Sequence, residues 1–119
     1  MGFDGLLNRK VTIYVKAQTG AAVESWTEVE TEVRCRIMPI TAMMFVTEGF
    51  GLSQTDAMHT RPNANLRGGR KVKITQKMDE GSWTTVSDGD EYMILGRPVN
   101  VAGADHHYRT ALALLEVEV

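Results

Sequence analysis

The chain has 119 residues, enough for one domain with a modest core and too few for a second. Hydrophobic residues make up 43% and charged residues 24%, a globular balance, and the net charge of −2 excludes an overall electrostatic attraction to nucleic acid. No apolar run approaches the roughly 18 residues of a membrane span, MGFDGLLNRK lacks the basic-then-apolar order of a secretory signal, and the single cysteine, Cys35, rules out an internal disulfide, which fits a reducing compartment.

Strand signals recur along the chain. In KVTIYVKA, Val11, Ile13 and Val15 share one face, with Thr12, Tyr14 and Lys16 opposite. SWTEVETEVRCRIMPI alternates for longer. Val29, Thr31, Val33, Cys35 and Ile37 are expected on one face and Glu28, Glu30, Glu32, Arg34 and Arg36 on the other, with Pro39 ending the strand or marking an edge. In TAMMFVTEGFGLSQ the alternation breaks; a short helical turn over Thr41–Val46 and then a loop are expected. TDAMHT and RKVKITQ are further strands, separated by the loop RPNANLRGG. MDEGSW turns into WTTV, and Asp88-Gly89 is a second turn. EYMILG and RPVNVA follow, with a bend at Gly96-Arg97-Pro98. Gly103-Ala104-Asp105 then turns the chain into HYRTALALLEVEV. There Tyr108, Thr110, Leu112 and Leu114 share a face, and the doubled Leu114-Leu115 marks a bulge or the end of the ladder. The fold class is therefore all-β: a small closed or partly open β-barrel of roughly six to eight strands with long flexible loops, residues 1–119 forming a single domain.

Charge runs in blocks. Glu24–Glu32 holds acids and no base. Arg61–Lys77 holds Arg61, Arg67, Arg70, Lys71, Lys73 and Lys77 and no acid. Three readings stand side by side: two solvated strand faces, complementary patches between subunits of a ring, and phosphate contact by the basic loop. That segment has no aromatic residue on which bases could stack, which argues against single-strand recognition.

Asp105-His106-His107 is the most chemical-looking run. On a strand the two histidines point to opposite faces. A metal site would have to combine Asp105 and His107 with the distant His59, and zinc needs three or four convergent ligands. A polar turn entering a strand accounts for the run more simply. The run also resembles the Asp-His-His phosphoesterases, but their further Asp motifs and longer chain are missing. RGGR lacks the Lys-Ser/Thr of a phosphate loop. Met43 and Met44, beside Phe45 and Val46, serve either as core or as an adaptable contact surface. No cofactor is expected.

Taken in order, the features resemble the head-closure proteins of tailed phages, also called head–tail joining or stopper proteins. The resemblance rests on LLNRKVTIYVKAQTG leading into a strand, ESWTEVETEVRCRIMPIT with its Trp, alternation and closing Pro, MHTRPNANLRGGRKVKI, and DEYMILGRPVNVAGADHHYRTALALLEVEV with Tyr-x-Ile, Gly-x-Pro-Val, a small turn and a final strand. It spans nearly the whole chain. QKMDEGSWTTVSDG looks like an added hairpin. The resemblance implies a structural, non-enzymatic protein of the virion's head–tail interface, present in the host cytoplasm during assembly. It implies a homo-oligomeric ring of roughly six or twelve copies, monomeric when free. A portal-adaptor ring protein would lie above and a tail-completion or tail-tube protein below. Packaged DNA would be touched non-specifically, and no membrane is involved. It also implies a channel-closing loop between the second and third strands, here about Thr41–Thr55 with Met43, Met44, Phe45 and Phe50. Glu28, Glu30, Glu32, Arg61, Arg67, Arg70, Lys71 and Lys73 are the candidate subunit or partner contacts. The alternatives are a small β-barrel nucleic-acid-binding module using Arg67, Arg70, Lys71 and Lys73, and a metal-dependent hydrolase using Asp105, His107 and His59.

Overall fold

The computed structural model describes residues 7–17, 25–40, 54–100 and 107–115. Among them are seven strands and no helix: β1 (Arg9–Ala17), β2 (Ser25–Pro39), β3 (Asp56–Thr60), β4 (Lys71–Asp79), β5 (Ser82–Thr85), β6 (Glu91–Asn100) and β7 (Tyr108–Leu115). All pair antiparallel in one sheet of order β1-β2-β3-β7-β6-β4-β5, and β4 pairs back onto β1. Six strands thus close into a ring, and β5 is a flap on β4. The all-β expectation holds, though the ring is not a regular barrel. On one side β4 divides its partners, pairing Lys71–Lys73 with β6 and Gln76–Asp79 with β5.

Alternation builds the inside of the ring. Val11 and Ile13 of β1, Val33 and Cys35 of β2, Met58 of β3, Val72 of β4, Tyr92 and Ile94 of β6 and Leu112 of β7 are buried together. Each large apolar side chain so buried contributes roughly 1.5–3 kcal/mol. Leu66, from the polar loop between β3 and β4, is 2% exposed and joins them. Thr110 is also fully buried, and its hydroxyl has no hydrogen-bond partner among the described residues.

The long alternating face expected on β2 is corrected by bulges. Val11 faces Val33, Ile13 faces Glu30 and Tyr14 faces Glu28, so β2 carries two more residues than β1 over this stretch. Glu32 has φ 56°, a left-handed backbone that re-aims the strand. Val33 and Cys35 stay inside, but Val29 is 40% exposed and Thr31 is exposed. Glu30 is half-buried instead of lying outward with Glu28 and Glu32. The two strands expected around Gly96-Arg97-Pro98 are one strand, β6. Its register slips between Leu95↔Ala111 and Val99↔Arg109, and Pro98 sits in that slip, where a missing N–H breaks no ladder bond.

Two expected turns have clear causes. Glu80 (φ 49°) and Gly81 (φ 82°) form the two-residue link between Asp79 and Ser82, and positive φ at both positions matches the twist of a hairpin. After β5 the chain crosses the point where β4 changes partners, held by Val86 N–H to Thr75 O (2.8 Å) and Ile74 N–H to Asp90 O (3.0 Å). At Gly89 a Cβ would fall onto the Ile74 carbonyl oxygen and 2.8 Å from its carbon, so only glycine fits. Trp83 of β5 lies under Lys10 and Arg34, 4.4 and 5.5 Å from its ring centre, which ties the flap to β1 and β2.

Candidate functional site

The sequence-derived candidates fall into four places. Met43, Met44, Phe45 and Phe50 lie outside the described residues, as do the Thr41–Val46 turn, the Gly103–Asp105 turn and His106. The two ends of the 41–53 segment are described, and they are tightly held. Ile40 N–H donates to Thr55 O (3.1 Å), Thr55 N–H to Leu112 O (2.9 Å) and Leu114 N–H to the Thr55 hydroxyl (2.7 Å). The chain thus leaves β2 at Ile40 and enters β3 from Thr55 through a neck in which these two residues are bonded to each other and Thr55 is bonded to β7.

At the other end of β3, the polar loop folds over the ring. Glu30 Oε1 accepts hydrogen bonds from Asn63 Nδ2 (2.9 Å) and Asn65 Nδ2 (2.8 Å). Asn63 Oδ1 accepts from the Asn65 backbone N–H (2.8 Å), a local Asx turn. The Arg70 guanidinium donates to Asn65 O (2.9 Å) and the Arg67 Nε to Ala64 O (3.1 Å). This latch seats Leu66 in the core. Arg67 is exposed, and with Arg97, Tyr108, Pro62, Pro98 and Asn63 it lines an open cleft of about 630 Å³.

The acidic and basic blocks meet within one chain. Glu30, Glu32, Arg34 and Arg61 line one recess, and Glu32 also pairs with Lys10 at 3.8 Å. Glu28 is exposed and faces Tyr14 across the β1–β2 ladder. Lys71 is bound at 2.7 Å to Glu91 and lies over the rings of Tyr14 (5.2 Å) and Trp26 (4.8 Å), with its side chain only 15% exposed. Lys73, half-buried, faces Thr12 and Glu91. Of the basic candidates, Arg61 and Arg67 are the ones most open to solvent.

His59 and His107 are brought together, although 48 residues separate them. His59 Nδ1 and His107 Nε2 are 2.7 Å apart, so one ring donates to the other. Burial, then His107, Arg109 and Arg36, hold the His59 pKa below the usual imidazole value. A metal ion between the two nitrogens would displace the shared proton, and two arginines nearby oppose a dication. Asp105 is outside the described residues, and among those described no three His, Cys, Asp or Glu side chains converge as metal ligands. Cys35 is fully buried, and burial pushes its thiol up to about 12, which suits a core residue and not a nucleophile.

Sequence reasoning placed Arg36 on the outer face of its strand but missed Arg109, Arg97 and Tyr108 as surface groups and Leu66 as core. Leu66 had a signal, being the one large apolar residue in RPNANLRGG. The alignment of Arg36 with Arg109 had none, because only the β2–β3–β7 pairing creates it. No helix among the described residues is long and apolar enough to cross a membrane. No protein-family model matches the chain, and no curated protein matches it.

Proposed function

We propose that the protein is a structural head–tail connector of a tailed phage or prophage, a head-closure or stopper protein that assembles as a ring, closes the DNA exit channel and docks the tail. The observation that carries the reading is the bonded neck at Ile40 and Thr55. A stopper needs an extension that can act on a channel while its base stays fixed. Here residues 41–53, with Met43, Met44, Phe45 and Phe50, join the second and third strands of a closed ring through such a base. In the proposed role, Met43, Met44, Phe45 and Phe50 supply the apolar surface for association between copies around an axis. The resemblance in the order of sequence features and in their punctuation supports the same role. The nucleic-acid-module reading has less behind it, since Arg70 and Lys71 are engaged inside the chain.

The test is electron microscopy of particles made without the gene. The expected result is separate tails and tailless heads that packaged DNA and lost it. Normal tailed virions would overturn the proposal. Duplex-DNA binding with a steep salt dependence would then favour the nucleic-acid module.

A further inference from the structure

Arg36, His59 and Arg109 stand in one row across three neighbouring strands. Arg36 of β2 is directly opposite His59 of β3, and His59 is directly opposite Arg109 of β7. Directly opposed residues of antiparallel strands project from the same face, with about 4.8 Å between strands. Ile37, Met58, Thr110 and Leu112 take the alternate positions and point inward, so the row lies on the outer face. His59 is half-buried there, one strand away from a guanidinium on either side. His107, two residues before Arg109, sits on the same face, its ring centre 4.9 Å from that of His59 and tilted by 51°. Among the described residues, the charged groups acting on His59 are thus Arg36 from β2, Arg109 from β7 and His107 just before β7, and all three push its pKa the same way. Such a concentration of positive charge is unfavourable by itself and is relieved by an anion.

We propose that Arg36, His59 and Arg109 form a binding site for a phosphate-type oxyanion, with His107 as a positioning residue. Three donors arriving from three strands suit a tetrahedral group. A planar carboxylate that fits one arginine fork leaves the other donors unused. The contact between His107 Nε2 and His59 Nδ1 fixes the His59 ring and leaves its Nε2 edge for the anion. A bound anion favours an extra proton on the imidazole pair, so binding takes up a proton and tightens as the pH falls. The oxyanion is either a DNA backbone phosphodiester or a small phosphate compound. The inference stands apart from the connector role and does not depend on it.

The experiment titrates the full chain with sulfate, which stays dianionic, at constant ionic strength, and follows the His59 and His107 ring protons by NMR at pH 7.5 and 6. The expected result is a saturable shift of both rings, tighter at pH 6, that chloride does not reproduce. It should weaken about tenfold or more in Arg36→Gln and in Arg109→Gln, as loss of a charge-assisted pair requires. His107→Gln should weaken binding less and flatten its pH dependence. A shift that is linear in concentration, is matched by chloride, or is as strong in both arginine variants as in the wild type overturns the proposal. A short DNA duplex added in parallel identifies the source. Displacement of the same two resonances points to the nucleic-acid backbone, and movement by sulfate alone points to a small phosphate compound.

Discussion

Glu30 separates a contact within the chain from a contact between chains. Glu30→Ala removes the oxygen that accepts from both Asn63 and Asn65. Hydrogen bonds to a charged group are worth roughly 1.5–3 kcal/mol each. These two share one oxygen on a half-buried side chain, so the pair is discounted to about 2 kcal/mol in all. If the loop lets go completely, Leu66 also leaves the core at a cost of roughly another 2 kcal/mol. The expected loss is therefore about 2–4 kcal/mol, or roughly 8–16 °C in Tm for a domain of this size. Urea unfolding of dilute protein, followed by Trp26 and Trp83 fluorescence, measures it. Hydrogen exchange at the Asn65 amide, which donates to Asn63 Oδ1, should speed up in step. Glu30→Gln keeps an acceptor oxygen and should lose about half as much. An Ala variant within about 0.5 kcal/mol of the wild type, defective only on assembly, would refute the latch and return Glu30 to a subunit interface.

Gly89→Ala should cost about 3 kcal/mol, because the flanking bonds at Val86 and Ile74 prevent retreat from the Ile74 carbonyl. Gly81→Ala, which meets nothing within 4 Å and is strained only by its φ of 82°, should cost about 1 kcal/mol. Equal losses in urea unfolding would show that the crossing at Ile74 is not tight. The thiol of Cys35, with its pKa raised to about 12, should resist a thiol reagent at pH 8 until the protein unfolds. Labelling within minutes in native buffer would contradict its burial. His59 has a folded pKa below its unfolded value, so the unfolded chain binds more protons in this range. The stability this contributes is present above the unfolded pKa of about 6.5 and is lost as the pH falls through the lower folded value. Tm should therefore decline from pH 7 to pH 5, and His59→Gln should flatten the decline. An unchanged slope would remove His59 as its source.

Alternation made much of the ring legible. Val11 and Ile13 repeat at period two, and so do Val33 and Cys35, because strand side chains alternate and one face of each strand is buried. The MDEGSW hairpin was legible from Glu80-Gly81, since glycine and a polar residue are what positive φ selects. The β2 bulge was not. Glu32 takes positive φ without being glycine, so SWTEVETEV reads as unbroken alternation although Val29 has left the inner face. Gly96-Arg97-Pro98 misled in the opposite direction, because proline punctuation marks a bulge as readily as a strand break. The His59–His107 pair and the Arg36–His59–Arg109 row were invisible for a different reason. They depend on which strands become neighbours, and β3 finds β7 across almost half the chain.

The short β3 relates the three candidate sites to one another. Its first residue, Asp56, pairs with Pro39 beside the neck at Ile40 and Thr55, and its last, Thr60, pairs with Tyr108 beside the latched loop and the Arg67–Arg97 cleft. Five residues at about 3.4 Å each separate these ends. The ends are joined by a strand whose inward residues, Met58 and Thr60, are almost fully buried and whose outward His59 is held by His107. On the proposed reading, one end of the ring carries the channel-closing segment and the other meets a neighbouring protein. A partner that displaced the Asn63–Asn65 latch would then act on β3 directly. Glu30→Ala should imitate that displacement, and its sharpest signature would be faster exchange at the Thr55 amide, at the opposite end of β3, in addition to the loss at Asn65. Exchange confined to the latched loop would show that the two ends are independent.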